Sequence, residues 1–174
     1  MNISNQGISN QQYKVIPRTL IFLFDAQNRV LLLKGSPKKK RWANAYNGIG
    51  GHVEPHEDVM EAALREMAEE TGIKNVDLLF CGQLMVDASD EAGVALFVFK
   101  GRYHSKELIH SEDGKLKWIA LDELSRYPVM EDLYELLPRI AAYKLVDPLI
   151  IGKYMFEPGG SLIVSFSQEA FEEN

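Results

Sequence analysis

The stretch "NGIGGHVEPHEDVMEAALREMAEETGI", residues 47–73, constrains this chain more than any other. Glycines at 48, 50 and 51 open it, and Thr71-Gly72 closes it. Glu57 to Thr71 reads as a helix, with Pro55 just before it and Gly72 as its C-terminal stop. Glu66, Glu69 and Glu70 then fall at i, i+3 and i+4 and share one face. Without partners, such carboxylates repel by roughly 0.2 to 0.5 kcal/mol per pair. A solvated helix face tolerates that repulsion. A cage for hard divalent cations makes use of it, because Mg²⁺ prefers carboxylate oxygens and water.

The neighbouring residues favour the cage. Arg65 lies on an adjacent strip with Glu57, Glu61 and Glu69, spaced by four residues, and can brace Glu69. Ala62 and Ala63 are small, so a loop can approach the helix closely. Gly48, Gly50 and Gly51 permit backbone conformations and close contacts that side chains would block. A carbonyl from that loop is then available as one more oxygen ligand.

The spacing is Gly51, five residues, Glu57, seven residues, then Arg65-Glu66-Met67-Ala68-Glu69-Glu70-Thr71-Gly72-Ile73. It resembles a complete Nudix box, with no departure at the defining positions. The resemblance implies an α+β Nudix fold, a mixed β-sheet sandwiched between helices. It also implies cleavage of a nucleoside diphosphate linked to another group. By position, Glu66, Glu69 and Glu70 become the metal ligands, with the Gly50 carbonyl as an extra one, and Glu57 holds Arg65. In related triphosphatases a further acid stands six residues ahead of a tryptophan. Glu112 stands so before Trp118 and joins the ligand candidates; a solvated loop acid beside Asp113-Gly114 is the alternative. The implied cofactor is Mg²⁺, with Mn²⁺ as a substitute. Glu69 is the candidate for ligand and general base together, and Glu112 is the rival base.

Other segments bear on the leaving group. "RWANAYNGIGGHVE" resembles the approach to the box in hydrolases of oxidised purine nucleoside triphosphates such as 8-oxo-dGTP. There an asparagine before the glycine turn faces the base, and Asn47 matches it; a plain turn-forming asparagine is the alternative. "WIALDEL", "MEDLYELLP" and "GKYMF" follow the order of that group. Glu131 and Asp132 fall where it carries two acids that read the purine edge. As bare sequence, they serve equally as a charge pair at a helix N-terminus. Lys34 is a further substrate-binding candidate.

There are departures from the group. His52 replaces the lysine common after the double glycine. Pro128-Val129-Met130 stands where a stacking tryptophan usually precedes the acids; Trp42 is a substitute or a loop anchor. The Lys38 to Arg41 run is a solvated loop or a phosphate contact. The motifs of the ADP-ribose and NADH subgroups have no match. A nucleotide sensor without turnover is the reading from a different class, and the intact box argues against it.

The rest of the chain sets the frame. Its 174 residues, 46% hydrophobic and 25% charged, suit one domain at 13–174 behind a flexible tail at 1–12. The net charge of −6 argues against a stable nucleic-acid partner but leaves a small nucleotide substrate open. One cysteine, Cys81, excludes an intramolecular disulfide and a cysteine zinc cluster. The longest apolar run, Thr19 to Phe24, is too short for a membrane span. A soluble, cytoplasmic and monomeric protein is expected. Strands are expected at Val15–Phe24, Arg29–Lys34, Val76–Val86, Val94–Tyr103 and Leu116–Ala120, with a helical turn at Leu121–Arg126. A long second helix at Val129–Tyr143 and a hairpin at Ile150–Phe156 and Leu162–Phe166 complete the chain.

Overall fold

Leu20, Phe22 and Phe24 alternate with Ile21 and Leu23, and all five are buried. A strand apolar on both faces belongs at the centre of a covered sheet. In the computed structural model, which describes residues 12–36, 43–89, 91–104, 114–157 and 159–167, β1 (Lys14–Phe24) occupies that position. It runs parallel to β5 (Ala92–Arg102) in register from Lys14↔Ala92 to Phe24↔Arg102. Beyond β5 lies antiparallel β4 (Leu78–Asp87), then parallel β7 (Ile150–Phe156), then antiparallel β8 (Leu162–Phe166). On the other side β2 (Val30–Gly35) pairs with β6 (Gly114–Ile119) along its outer edge.

β1 and β2 touch only near their connecting turn, at Leu23↔Leu31 and Phe24↔Val30. Beyond that point they part, and residues 46–53 fill the opening. Tyr46–Asn47 form a short strand, β3, on Leu33 and Lys34 of β2. Ile49 then exchanges hydrogen bonds of 2.7 and 3.1 Å with Ile21, and the Thr19 N–H donates to the Gly51 carbonyl at 2.9 Å. The glycine segment is thereby stitched into the centre of the sheet. A two-residue strand has too little periodicity to be read from sequence, and β3 was not expected.

Helices cover both faces. α1 (Val59–Thr71) packs Ala63 and Met67 against Ile21, Leu23, Leu31 and Phe99. α2 (Leu133–Ala142) packs Leu133, Leu136, Leu137 and Ile140 against Leu20, Phe22, Phe24 and Leu32. The expected mixed sheet between helices is the observed architecture.

Two helix boundaries differ from expectation. α1 starts at Val59 rather than Glu57 because Asp58 caps it, accepting from the Met60 and Glu61 amides, while Glu61 returns to the Asp58 amide at 2.8 Å. Glu61 therefore closes the cap instead of joining the strip around Arg65. α1 ends as expected at Gly72, in a left-handed conformation. α2 starts at Leu133, not Val129, because the preceding segment is bonded to β3. The Tyr46 N–H donates to the Pro128 carbonyl at 2.7 Å, and the Met130 N–H to the Tyr46 carbonyl at 3.0 Å. No helix among the described residues is long and apolar enough to cross a membrane.

Candidate active site

Arg65 organises the acidic face of α1. Its guanidinium donates to both Glu57 oxygens at 3.0 and 2.7 Å, to Glu66 at 2.9 Å, to Glu69 at 3.2 Å and to the His52 carbonyl at 2.9 Å. A planar fork can serve several acceptors at once; a lysine ammonium cannot match that geometry. The bond from Arg65 holds the Glu57 carboxyl below the usual carboxylate range, helped by the Glu54 amide. Arg65 is in turn held charged by Glu57 and Glu66. The expected contacts of Arg65 with Glu69 and with Glu57 are both present, and Glu66 joins them.

The three box carboxylates differ in their surroundings. Glu69 is 60% exposed. Glu66 lies against Gly51, where a Cβ would stand 2.3 Å from its Oε1. Glu70 is only 5% exposed, and its Oε2 accepts from the Gly50 N–H at 2.9 Å. Helix and glycine segment are thus locked together at two points. Gly50 has φ +139°, and an added Cβ would meet the Thr19 carbonyl at 2.3 Å, so only glycine suits this position. The carbonyls of Ile49 and Gly51 are used by β1 amides, while the Gly50 carbonyl takes no part in that ladder.

This donor set suits a hard cation in kind, since all its atoms are carboxylate or carbonyl oxygens. Among the described residues no three His, Cys, Asp or Glu side chains are drawn together as ligands around one point. The carboxylates are held instead by Arg65 and the Gly50 amide. Glu112, Trp42 and the Lys38 to Arg41 run lie outside the described residues.

On the other side of the glycine segment is a cavity of about 300 Å³. Its floor is the sheet, with Arg18, Leu20, Val94, Leu96, Val86 and Tyr154. Asn47 and Gly48 line it, as do Met130, Glu131 and Asp132 just before α2. Gly50 borders the cavity too, so the segment that bonds Glu70 also closes this space. Asn47, Glu131 and Asp132 are therefore brought together. Lys34 is not among the lining residues; its ammonium sits 5.8 Å from the Tyr46 ring centre.

The polar groups of the cavity have distinct states. The Asn47 Oδ1 accepts from the Gly48 N–H at 2.8 Å, a bond to the next residue rather than across a turn. Its amide N–H₂ is the group left to offer to the cavity. Asp132 occupies the N-cap position of α2 but makes no side-chain cap bond. Burial pushes its carboxyl up to about 6, and the charge of Glu131 adds to the rise. A carboxylate serving the helix dipole would move the other way, so burial governs Asp132. Glu131 is exposed.

Sequence reasoning missed the apolar lining and Arg18. The signal for Tyr154 was present: Ile150, Gly152 and Tyr154 alternate as buried positions on β7. Arg18 carried the same kind of signal, standing two residues before Leu20 on the face that β1 shares with Phe22 and Phe24.

Residues 14–140 match the family described as NUDIX domain, and the chain belongs to the Nudix family. Among its relatives is a Danio rerio protein named oxidized purine nucleoside triphosphate hydrolase, 29% identical over 97 residues; the match covers 55% of this chain and 61% of that protein. An RNA pyrophosphohydrolase from Pelagibacter ubique is 26% identical over 123 residues, covering 60% of this chain and 76% of the relative. The crystal structure of a MutT protein from Bacillus halodurans superposes with a TM-score of 0.71 at 25% identity, covering 88% of this chain and 99% of that one.

Proposed function

We propose that the chain is a divalent-metal-dependent hydrolase that cleaves a nucleoside triphosphate to the monophosphate and pyrophosphate, preferring a purine oxidised at its eight-position. One observation carries this reading. Asn47, Glu131 and Asp132 line one cavity, and that cavity borders Gly50, whose amide bonds the box carboxylate Glu70. A base held by the first three residues directs its phosphates past Gly50 toward α1. The relative named for oxidised purine nucleoside triphosphates supports the same choice.

Glu66, Glu69 and Glu70, with the Gly50 carbonyl, would hold Mg²⁺ or Mn²⁺, which neutralises phosphate oxygens and acidifies bound water. Arg65 keeps Glu66 and Glu69 in place and leaves Glu69 open to solvent, where it can accept the proton of the attacking water. Glu112 is the rival for that proton. In the cavity, burial helps Asp132 keep a proton, and a protonated carboxyl beside a second acid offers a donor beside an acceptor. A purine edge showing an acceptor and a donor matches it, and oxidation at the eight-position changes the atoms along that edge. A monomer in the cytoplasm, acting on small nucleotides, goes with this reading.

The test is a panel of normal and oxidised nucleoside triphosphates incubated with Mg²⁺, with the phosphate products identified. Asp132→Asn should raise the Michaelis constant for an oxidised purine substrate, since a mismatched buried partner costs about 1 to 3 kcal/mol. A poor pyrimidine substrate should be affected much less. Equal losses on both, or indifference of the wild type to base oxidation, would remove the purine assignment.

A further inference from the structure

We infer that Tyr154 is a positioning residue of the cavity: its buried hydroxyl anchors the Asp132 carboxyl and so selects the face that Asp132 turns toward a purine edge. The inference rests on the function proposed above.

Tyr154 lies on β7 opposite Val86, and its ring forms part of the cavity floor. It is 4% exposed, and its hydroxyl is a buried polar side-chain atom with no hydrogen-bond partner among the described residues. Such an orphan calls for a reason, because buried polar groups are nearly always paired. The reason stands beside it. The hydroxyl and the Asp132 carboxyl are close enough to alter each other's ionisation, yet short of good hydrogen-bond geometry. A small rotation of the Asp132 carboxyl completes the bond before any ligand arrives.

The phenol acts as a donor throughout the physiological range, because burial and the Asp132 charge both push its ionisation upward. Donation to one Asp132 oxygen favours the ionised carboxylate, while burial favours the neutral form. The other oxygen is then left to meet the ligand. Among the described residues, few other groups face the pair. Glu131 adjoins Asp132 on the same segment and raises its proton affinity. Arg139 of α2 acts on the phenol and lies over the Phe166 ring of β8 at 4.2 Å. Arg18 of β1 lines the same cavity. Leu162 of β8, Met130 before α2, and Val86 and Leu96 of β4 and β5 are apolar.

Tyr154→Phe keeps the ring and removes only the hydroxyl. The carboxyl ¹³C signal of Asp132 should then titrate at higher pH than in the wild type, by about half a unit or more, since a donor to the charged form is lost. The Michaelis constant for a purine triphosphate should rise several-fold, with a pyrimidine triphosphate changed much less. In an Asp132→Asn background the same substitution should add nothing, the mark of two groups acting through one contact. An unmoved Asp132 titration overturns the inference, as does a moved titration with unchanged purine affinity. If the wild type hydrolyses no purine triphosphate at all, the proposed function falls. The titration still reports whether the hydroxyl and Asp132 are partners.

Discussion

Gly51→Ala isolates the placement of one carboxylate. A Cβ built on Gly51 would stand 2.3 Å from Glu66 Oε1, 2.4 Å from its Cδ and 2.6 Å from Oε2. Ordinary contacts of this kind need about 3.5 Å, so the carboxyl must retreat by about 1 Å. The nearest atoms all belong to the tip of a flexible side chain, and Gly51 requires no left-handed backbone. The stability change should therefore stay within about 1 kcal/mol, which for a chain of this size is about 2 to 4 °C. A displacement of about 1 Å at a reacting centre costs on the order of 10²-fold in rate. Steady-state hydrolysis with Mg²⁺, beside calorimetric unfolding, should thus show a large loss of kcat with a nearly unchanged Tm. Gly50→Ala is the contrasting case: there the obstacle is the Thr19 backbone carbonyl and φ is +139°, so stability itself should fall. If Gly51→Ala keeps the wild-type kcat, Glu66 does not need its observed position. If it unfolds the protein, the reasoning about the yielding side chain is wrong.

Three other outcomes are expected. Glu69→Gln should reduce kcat at least about 10²-fold without unfolding the protein, and EDTA should abolish activity; full turnover in either case refutes the metal-dependent reading. Arg65→Lys keeps the charge but loses the fork that reaches Glu57, Glu66 and Glu69, so kcat should fall more than substrate affinity; a collapse of affinity at constant kcat would make Arg65 a substrate contact. Burial raises Asp132 from 3.8 to about 6, so the folded chain holds that proton more tightly than the unfolded one. Its ionisation then opposes folding: the penalty is absent below about pH 4, grows toward pH 6 and stays constant above. Asp132→Asn should accordingly stabilise the protein at pH 7 by about 1 to 2 kcal/mol, at about 1.4 kcal/mol per pH unit and discounted for partial exposure, with no gain near pH 3.5. Denaturant unfolding at the two pH values checks this, and equal effects at both would refute it.

The acidic face of α1 was legible in the sequence because i, i+3, i+4 spacing is a local property of a helix. So was the ending at Gly72, and so were the strands whose apolar residues alternate. The Arg65 brace was legible at Glu69, one turn away, and the resemblance supplied Glu57, which reaches back from a turn outside the helix rather than from within it. Two helix starts were misplaced, one through a local cap and one through a tertiary contact. The Asp58 cap took the start of α1, and bonds from β3 took the residues before α2. Only tertiary structure decided that Asn47, Glu131 and Asp132 share a cavity with Tyr154 and Arg18. Those residues come from β1, β3, β7 and the segment before α2, and their meeting depends on β1 and β2 parting so that the glycine segment can enter the sheet. The upward shift of the Asp132 carboxyl was decided at the same level. Desolvation is set by what surrounds a carboxyl in space, and an Asp-Leu step at a helix start carries no record of the sheet that buries it.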